Sequence, residues 1–252
     1  MISYKLFDPA GNITAIVDDT ERKLDRAEEA GRILKAEPSC EQVGFLSLPQ
    51  KWEDVCLEMA GGEFCGNAVF AAATHFAEEK GLFTDEAASE ESEPKTVRVT
   101  VSGSEVLDVS VSKTPEGFEC SYRFPDMLGR EEIDGIKVFH FDGISHAVLW
   151  DPLPKSEAEA LVKTLCIKTG KEAFGLMFIE AQTLEIKPLV FVRDPETLYW
   201  ENSCASGSAA VALALADYWV TPFDAKLWFP GGTIQIAVSP DNSVELKEFI
   251  KI

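Results

Sequence analysis

Two apolar stretches of small residues, each starting directly after a cysteine, constrain this chain more than any other feature. The first is 66–79 (GNAVFAAATHFAEE), which follows Cys65, and the second is 205–218 (ASGSAAVALALADY), which follows Cys204. Each is long enough for a helix and too apolar to lie on a surface, so each predicts a helix surrounded by a sheet. The two cysteines are 139 residues apart, one in each half of the chain. The pattern therefore predicts two similar halves.

The segments around these two helices have the alternation and the turn residues of β-strands. The sequence therefore predicts an α+β fold of two pseudo-symmetric lobes, each a mixed sheet wrapped around a central helix. Residues 1–122 form the predicted N-terminal lobe with Cys65. Residues 123–252 form the C-terminal lobe with Cys204, and the last strand is expected to return to the first lobe.

An acidic segment without large apolar residues, 84–94, predicts a solvated loop. Strands are predicted at 2–7, 13–17, 42–48, 55–59, 97–102, 106–111, 119–123, 136–141, 147–150, 173–179, 184–191, 233–238 and 244–250, and two further helices at 18–35, with Thr20 as N-cap, and at 155–165.

The charge of the chain limits its partners. With 43 acidic and 23 basic residues, the net charge is −20, which repels phosphate backbones and anionic lipid surfaces. Nucleic acids and membranes are therefore excluded as predicted partners. No apolar run approaches the roughly 20 residues needed to span a bilayer, and residues 1–8 lack the basic start of a signal peptide. The expected location is the cytoplasm.

The six cysteines do not form a metal-binding or redox pattern. No two stand in a C-x-x-C pair, and none lies beside a histidine at zinc-finger spacing. The prediction is no metal site, and most of the thiols are expected to be free in a reducing compartment.

The starts of the two apolar helices are the candidate chemical sites. A cysteine at a helix N-terminus faces unpaired backbone N–H groups and the positive end of the helix dipole, which favour the thiolate and lower the thiol pKa. The same N–H groups can bind a carboxylate, and small neighbours let a ligand come close. If two such helix ends held the same carboxylate, a sulfur would lie on either side of it. One sulfur could then remove a proton from one face of a carbon, and the other could return a proton to the opposite face. The alternative is that both cysteines are core residues packed among small side chains.

Several segments resemble those of a known superfamily. Residues 59–68 (MAGGEFCGNA) resemble the first cysteine motif of diaminopimelate epimerase and its relatives, and 203–210 (SCASGSAA) resemble the second. Gly11-Asn12, 145–148 (SHAV) and 230–233 (PGGT) resemble further family segments in the same order. The whole pattern is most similar to the histidine racemases of this superfamily.

The resemblance implies an amino-acid racemase or epimerase without a cofactor, with its active site between the lobes. Cys65 and Cys204 would exchange the roles of thiolate base and thiol acid. The resemblance also implies a small-molecule amino-acid substrate and a homodimer. By position, Gly66, Asn67, Gly207 and Ser208 would hold the substrate carboxylate, Asn12 would orient the substrate, and His146 and Glu201 would assist proton movement at one cysteine. For His146 the alternative is a hydrogen-bonded core histidine.

One departure from diaminopimelate epimerases concerns the substrate. Those enzymes carry an adjacent Glu-Arg pair upstream of the second cysteine, whereas 194–200 (DPETLYW) has none and Arg193 is the only arginine nearby. The far end of diaminopimelate would then lack its bidentate partner, so we expect a single-centre amino acid, histidine first. Tyr199 and Trp200 are expected either to line the site or to belong to the core.

Four alternatives remain open at this point. A diaminopimelate epimerase shares the chemistry and is disfavoured only by the missing pair. Proline-racemase-like chains are longer and have other flanking motifs. Phenazine-biosynthesis isomerases share the fold but carry a carboxylate where Cys65 stands. The last alternative is a catalytically silent protein that binds amino acids.

Overall fold

A computed structural model describes residues 2–50, 52–83, 92–193 and 196–251, and it confirms the α+β class. The chain divides into two compact units, Met1–Arg123 with Lys247–Ile252, and Phe124–Leu246. The helices are α1 (Arg26–Ala36), α2 (Gly66–Glu79), α3 (Lys155–Thr169) and α4 (Ala205–Ala216). The strands are β1 (Tyr4–Pro9), β2 (Thr14–Asp18), β3 (Gln42–Ser47), β4 (Val55–Met59), β5 (Lys95–Val101), β6 (Leu107–Thr114), β7 (Gly117–Arg123), β8 (Gly129–Ile133), β9 (Ile136–His140), β10 (Ile144–Leu149), β11 (Ala173–Ile179), β12 (Ile186–Val192), β13 (Thr197–Trp200), β14 (Phe223–Phe229), β15 (Gly232–Val238) and β16 (Val244–Lys251).

The first unit is a sheet that surrounds α2. Its strands follow in chain order from β1 to β7, and β16 pairs between β7 and β1, so the eight strands form a barrel-like sheet. Helix α2 packs against β1, β2 and β4–β7, and its residues from Gly66 to Thr74 are all buried. The sheet takes up the apolar surface of this helix on every side, as its composition requires.

The start of α1 differs from the prediction. A helix over 18–35 with Thr20 as N-cap is wrong, because the Asp19 carboxylate accepts the backbone N–H groups of Lys23 (2.9 Å) and Leu24 (3.2 Å) in a loop. The N-cap is Asp25, whose side chain accepts the N–H of Glu28. The helix therefore begins eight residues later than expected.

The second unit contains a six-stranded sheet in the order β13-β12-β11-β10-β9-β8, and β14 and β15 form an antiparallel hairpin beside the start of β16. Strands β10 and β11 are parallel, and α3 connects them and packs on β11 and β12. Helix α4 packs against β10, β11 and β15, so it too is covered by strands. Strands β8, β13 and β14 were not expected from the sequence. Of the predicted acidic loop, residues 84–91 lie outside the described residues.

All six cysteines are free. Within the described residues, no three His, Cys, Asp or Glu side chains are grouped so that they could hold a metal ion. In the same ranges, no helix is long and apolar enough to cross a membrane.

Candidate active site

Cys65 is the N-cap of α2, at the place that its sequence predicts. Its backbone is extended, and its sulfur accepts the N–H of Ala68 at 3.4 Å. The thiol donates to the side-chain oxygen of Gln42 on β3 at 2.8 Å. The buried Tyr122 hydroxyl donates to the carbonyl of Gly66 at 3.1 Å and so fixes the first turn of the helix. The sulfur is held between a helix N-terminus and an amide.

Asn12 belongs to the same part of the first unit. Its side chain is 1% exposed, and its Nδ2 donates to a Glu41 carboxylate oxygen at 2.7 Å, directly before Gln42. Its Oδ1 is buried and has no hydrogen-bond partner among the described residues. The start of β3 thus connects Asn12, through Glu41 and Gln42, to Cys65. Sequence reasoning missed Gln42, because a glutamine at the start of a strand carries no local signal of its role.

Cys204 is the N-cap of α4 and lies beside two polar side chains of the second unit. Its sulfur is 3.5 Å from the hydroxyl oxygen of Ser206, and that oxygen is 2.8 Å from Nε2 of His146. His146 stands on β10 and is fully buried. The core-histidine interpretation and the functional one are therefore both compatible with its position. Ser206 was not predicted, since only the fold brings β10 next to the first turn of α4.

The electrostatics of Cys204 correct the expectation of a lowered pKa. Burial and then the nearby Glu201 raise the pKa of the Cys204 thiol well above its ordinary value, and they outweigh the Ser206 hydroxyl and the Gly207 N–H, which lower it. Burial also lowers the pKa of His146 to about 3, so its imidazole is neutral at physiological pH. Cys204 therefore rests as a thiol beside a neutral histidine.

The four residues expected to hold a carboxylate lie in the first turns of α2 and α4. Gly66 and Asn67 are the first two residues of α2, and both are buried. Ser208 is already bonded within α4, since its N–H and its hydroxyl both donate to the Cys204 carbonyl at 2.9 Å. Gly207 packs against Met177 of β11, where a β-carbon would collide with the sulfur. Gly207 directly precedes Ser208, and its N–H acts on the Cys204 sulfur, where it lowers the thiol pKa.

The two aromatic residues in the segment that lacks a Glu-Arg pair are not core residues. Tyr199 and Trp200 on β13 are 56% and 39% exposed. Trp200 stacks on Phe178 at 6.1 Å and donates its ring N–H to Glu159 at 3.3 Å. Arg193 is exposed and follows β12, where its backbone N–H donates to the carbonyl of Glu172 at 2.8 Å.

Comparison with known proteins identifies the family of this chain. A family model described as "Histidine racemase CntK N-terminal domain" matches residues 1–251. The chain belongs to this histidine racemase family. A histidine racemase of Fusobacterium nucleatum subsp. nucleatum is 32% identical over 256 residues, which cover 96% of this chain and 91% of the relative. A histidine racemase of Staphylococcus aureus is 25% identical over 233 residues, 84% of this chain and 79% of the relative.

Solved structures with a similar fold are more distant in sequence. A structure described as a "Predicted Epimerase" from Pseudomonas aeruginosa has a TM-score of 0.69 at 12% identity, covering 100% of this chain and 96% of that one. A phenazine biosynthesis protein of the PhzF family from Bacillus anthracis has a TM-score of 0.68, also at 12% identity, with coverage of 99% and 96%. At such identity the likeness concerns the fold alone.

Proposed function

We propose that this protein is a cofactor-independent amino-acid racemase that inverts the α-carbon of histidine. The observation that carries the proposal is the repeated arrangement at Cys65 and Cys204, each the N-cap of an apolar helix in its own unit. Membership of the histidine racemase family supports the substrate. The reaction needs one sulfur to take the α-proton and another to supply one on the opposite face, so both sulfurs must approach the same carbon.

The surroundings of the two sulfurs suggest different resting states. The raised pKa of Cys204 keeps it protonated, which makes it the acid of the resting enzyme. Cys65 is then the base, and the N–H of Ala68 already points at its sulfur. The Gln42 amide contacts the same sulfur through its oxygen, and the amide turned by half a rotation would offer an N–H to the thiolate instead.

The remaining groups serve the substrate's own charges. An α-proton becomes easier to remove when hydrogen-bond donors neutralise the adjacent carboxylate as charge develops on it. The N–H groups of Gly66 and Asn67 in the first turn of α2 are suited to that role, whereas at the start of α4 the N–H of Gly207 acts on the Cys204 sulfur. The buried Oδ1 of Asn12 is an acceptor suited to the substrate ammonium.

The test is proton exchange at the α-carbon. The protein is incubated with L-histidine in deuterium oxide, and α-deuterium and D-histidine are measured by NMR and chiral chromatography. A panel of other amino acids, including LL-diaminopimelate, is run in parallel. We expect histidine to exchange and racemise fastest. Exchange with no amino acid would support the silent binding protein, and preference for LL-diaminopimelate would support the epimerase.

Serine variants test the two-cysteine mechanism. A hydroxyl is too weak an acid or base to replace either sulfur, so Cys65→Ser and Cys204→Ser should each abolish racemisation. Cys56→Ser is the matched control, because Cys56 lies on β4 and caps no helix. Near-full racemisation by either of the first two variants contradicts the mechanism.

A further inference from the structure

We propose that Ser206 is a positioning residue that joins the buried His146 to Cys204 and directs its hydroxyl hydrogen at the sulfur, so that Cys204 can exist as a thiolate during turnover. The catalytic meaning of this arrangement rests on the proposed function. The arrangement itself lies within the second unit, where Nε2 of His146, Oγ of Ser206 and Sγ of Cys204 follow one another at 2.8 and 3.5 Å.

The direction of the hydrogen bonds follows from the far side of the imidazole. Nδ1 of His146 is buried and has no hydrogen-bond partner among the described residues. Backbone statistics show that buried N–H groups without an acceptor are rarer than buried acceptors that lack a donor. The proton is therefore best placed on Nε2. His146 then donates to Oγ of Ser206, which leaves the serine hydroxyl hydrogen for the sulfur.

The packing holds the ring in this orientation. His146 lies opposite Gly175 in the parallel pairing of β10 and β11. A β-carbon at Gly175 would collide with Nδ1 of His146, and the neighbouring Phe141 ring lies 6.2 Å away, centroid to centroid. The glycine thus provides the space for the imidazole, and the ring has little freedom to turn away from Ser206.

The hydrogen bonds from His146 through Ser206 stabilise the thiolate form of Cys204. Burial and the Glu201 carboxylate disfavour the Cys204 thiolate, while the Ser206 hydroxyl and the Gly207 N–H favour it. When the sulfur gives its proton to the substrate carbon, the serine hydroxyl already points at the new negative charge. The proton moves only between sulfur and carbon, and neither Ser206 nor His146 gains or loses one. His146 keeps the serine oriented and polarises its hydroxyl.

The test measures the acidity of Cys204 without any substrate. In a Cys65→Ser background, the rate of alkylation of Cys204 by iodoacetamide is followed from pH 6 to pH 11, with the modified residue identified by peptide mapping. His146 stays neutral over this range, so the profile reports Cys204. A hydrogen bond to a charged group is typically strong enough to change the thiolate fraction at least about 10-fold.

We expect Ser206→Ala to slow alkylation of Cys204 about 10-fold at each pH at which the thiol is mostly protonated, while Ser206→Thr, which keeps a hydroxyl, restores the rate. His146→Leu should give part of the effect, and the double variant no more than Ser206→Ala alone. Ser145→Ala is the control. Ser145 lies next to His146 on β10, and its buried hydroxyl is hydrogen-bonded to His140 instead.

An unchanged alkylation rate in Ser206→Ala and in His146→Leu would overturn the proposal. The same holds if Ser145→Ala slows alkylation as much as Ser206→Ala does. If Ser206→Ala does not fold, His146→Leu carries the same comparison. If Ser206→Ala slows alkylation but the protein racemises no amino acid, the proposed function is refuted and the role of Ser206 stands.

Discussion

The carboxyl group of Glu248 on β16 is predicted to weaken the fold at neutral pH. Glu248 is 3% exposed, and neither of its carboxylate oxygens has a hydrogen-bond partner among the described residues. Burial, and then the negative charge of Asp8, raise the pKa of Glu248 well above its ordinary value of 4.5. The folded protein therefore keeps this side chain protonated where the unfolded chain has already released the proton.

The magnitude follows from proton linkage. The unfolded state binds fewer protons than the folded state above pH 4.5, so this residue lowers the free energy of unfolding as the pH rises, by about 1.4 kcal/mol per pH unit while the folded side chain stays protonated. The loss ends once the pH passes the folded-state pKa. Glu248→Gln removes the titration at nearly constant volume. We therefore expect the variant to be more stable than the parent by roughly 1–3 kcal/mol at pH 7, and equal to it near pH 4.

The assay is urea unfolding of both proteins at half-unit steps from pH 4 to pH 8. The difference in unfolding free energy at each pH isolates residue 248, because the other titrating groups are common to both. Glu245→Gln is the control, since Glu245 is exposed on the opposite face of the same strand. A difference that does not grow with pH, or a variant less stable than the parent at pH 8, would refute the reasoning.

Four further outcomes are expected. Elimination of HX from a β-substituted substrate analogue needs only one base, so this activity should survive in one of the variants Cys65→Ser and Cys204→Ser. Loss of elimination in both variants would argue against independent roles for the two cysteines. Mild oxidation should join Cys65 and Cys204 reversibly, and inactive protein with both thiols free would contradict a shared substrate carbon. The kcat/KM for L-histidine should exceed that for LL-diaminopimelate by about a thousand or more, because unpaired charges cost several kcal/mol in a closed site. Gly175→Ala should lower kcat about 10-fold by displacing His146, whereas Gly129→Ala, with open space around it, should not.

The two central helices were predictable because their signals are local. A cysteine followed by very small residues and an apolar run determined both ends of α2 and the start of α4. Strand β8 (GREEI) could not be found in this way, since none of its residues is buried and its apolar alternation is absent. The start of α1 was missed because the Asp19 carboxylate competes for backbone N–H groups that a helix would otherwise use.

The partners of the two cysteines were not predictable from the sequence for a different reason. Gln42 is 23 residues from Cys65, and His146 is 60 residues from Ser206. Each pair meets only because a strand passes the first turn of a helix, and nothing in either local sequence records the meeting. Charge and burial around Cys204 likewise depend on the fold, which is why the dipole argument gave the wrong direction for its pKa.

Strand β16 determines the order in which the protein can be completed during synthesis. The strand that pairs between β7 and β1 is separated from β7 by the second unit, Phe124–Leu246. The ribosome must therefore make the whole second unit before the first can close its ring of hydrogen bonds. Until then β1 and β7 have unpaired edges, which are sites for wrong pairing with other chains. The nascent N-terminal half should thus depend on protection from aggregation for longer than its own length would suggest.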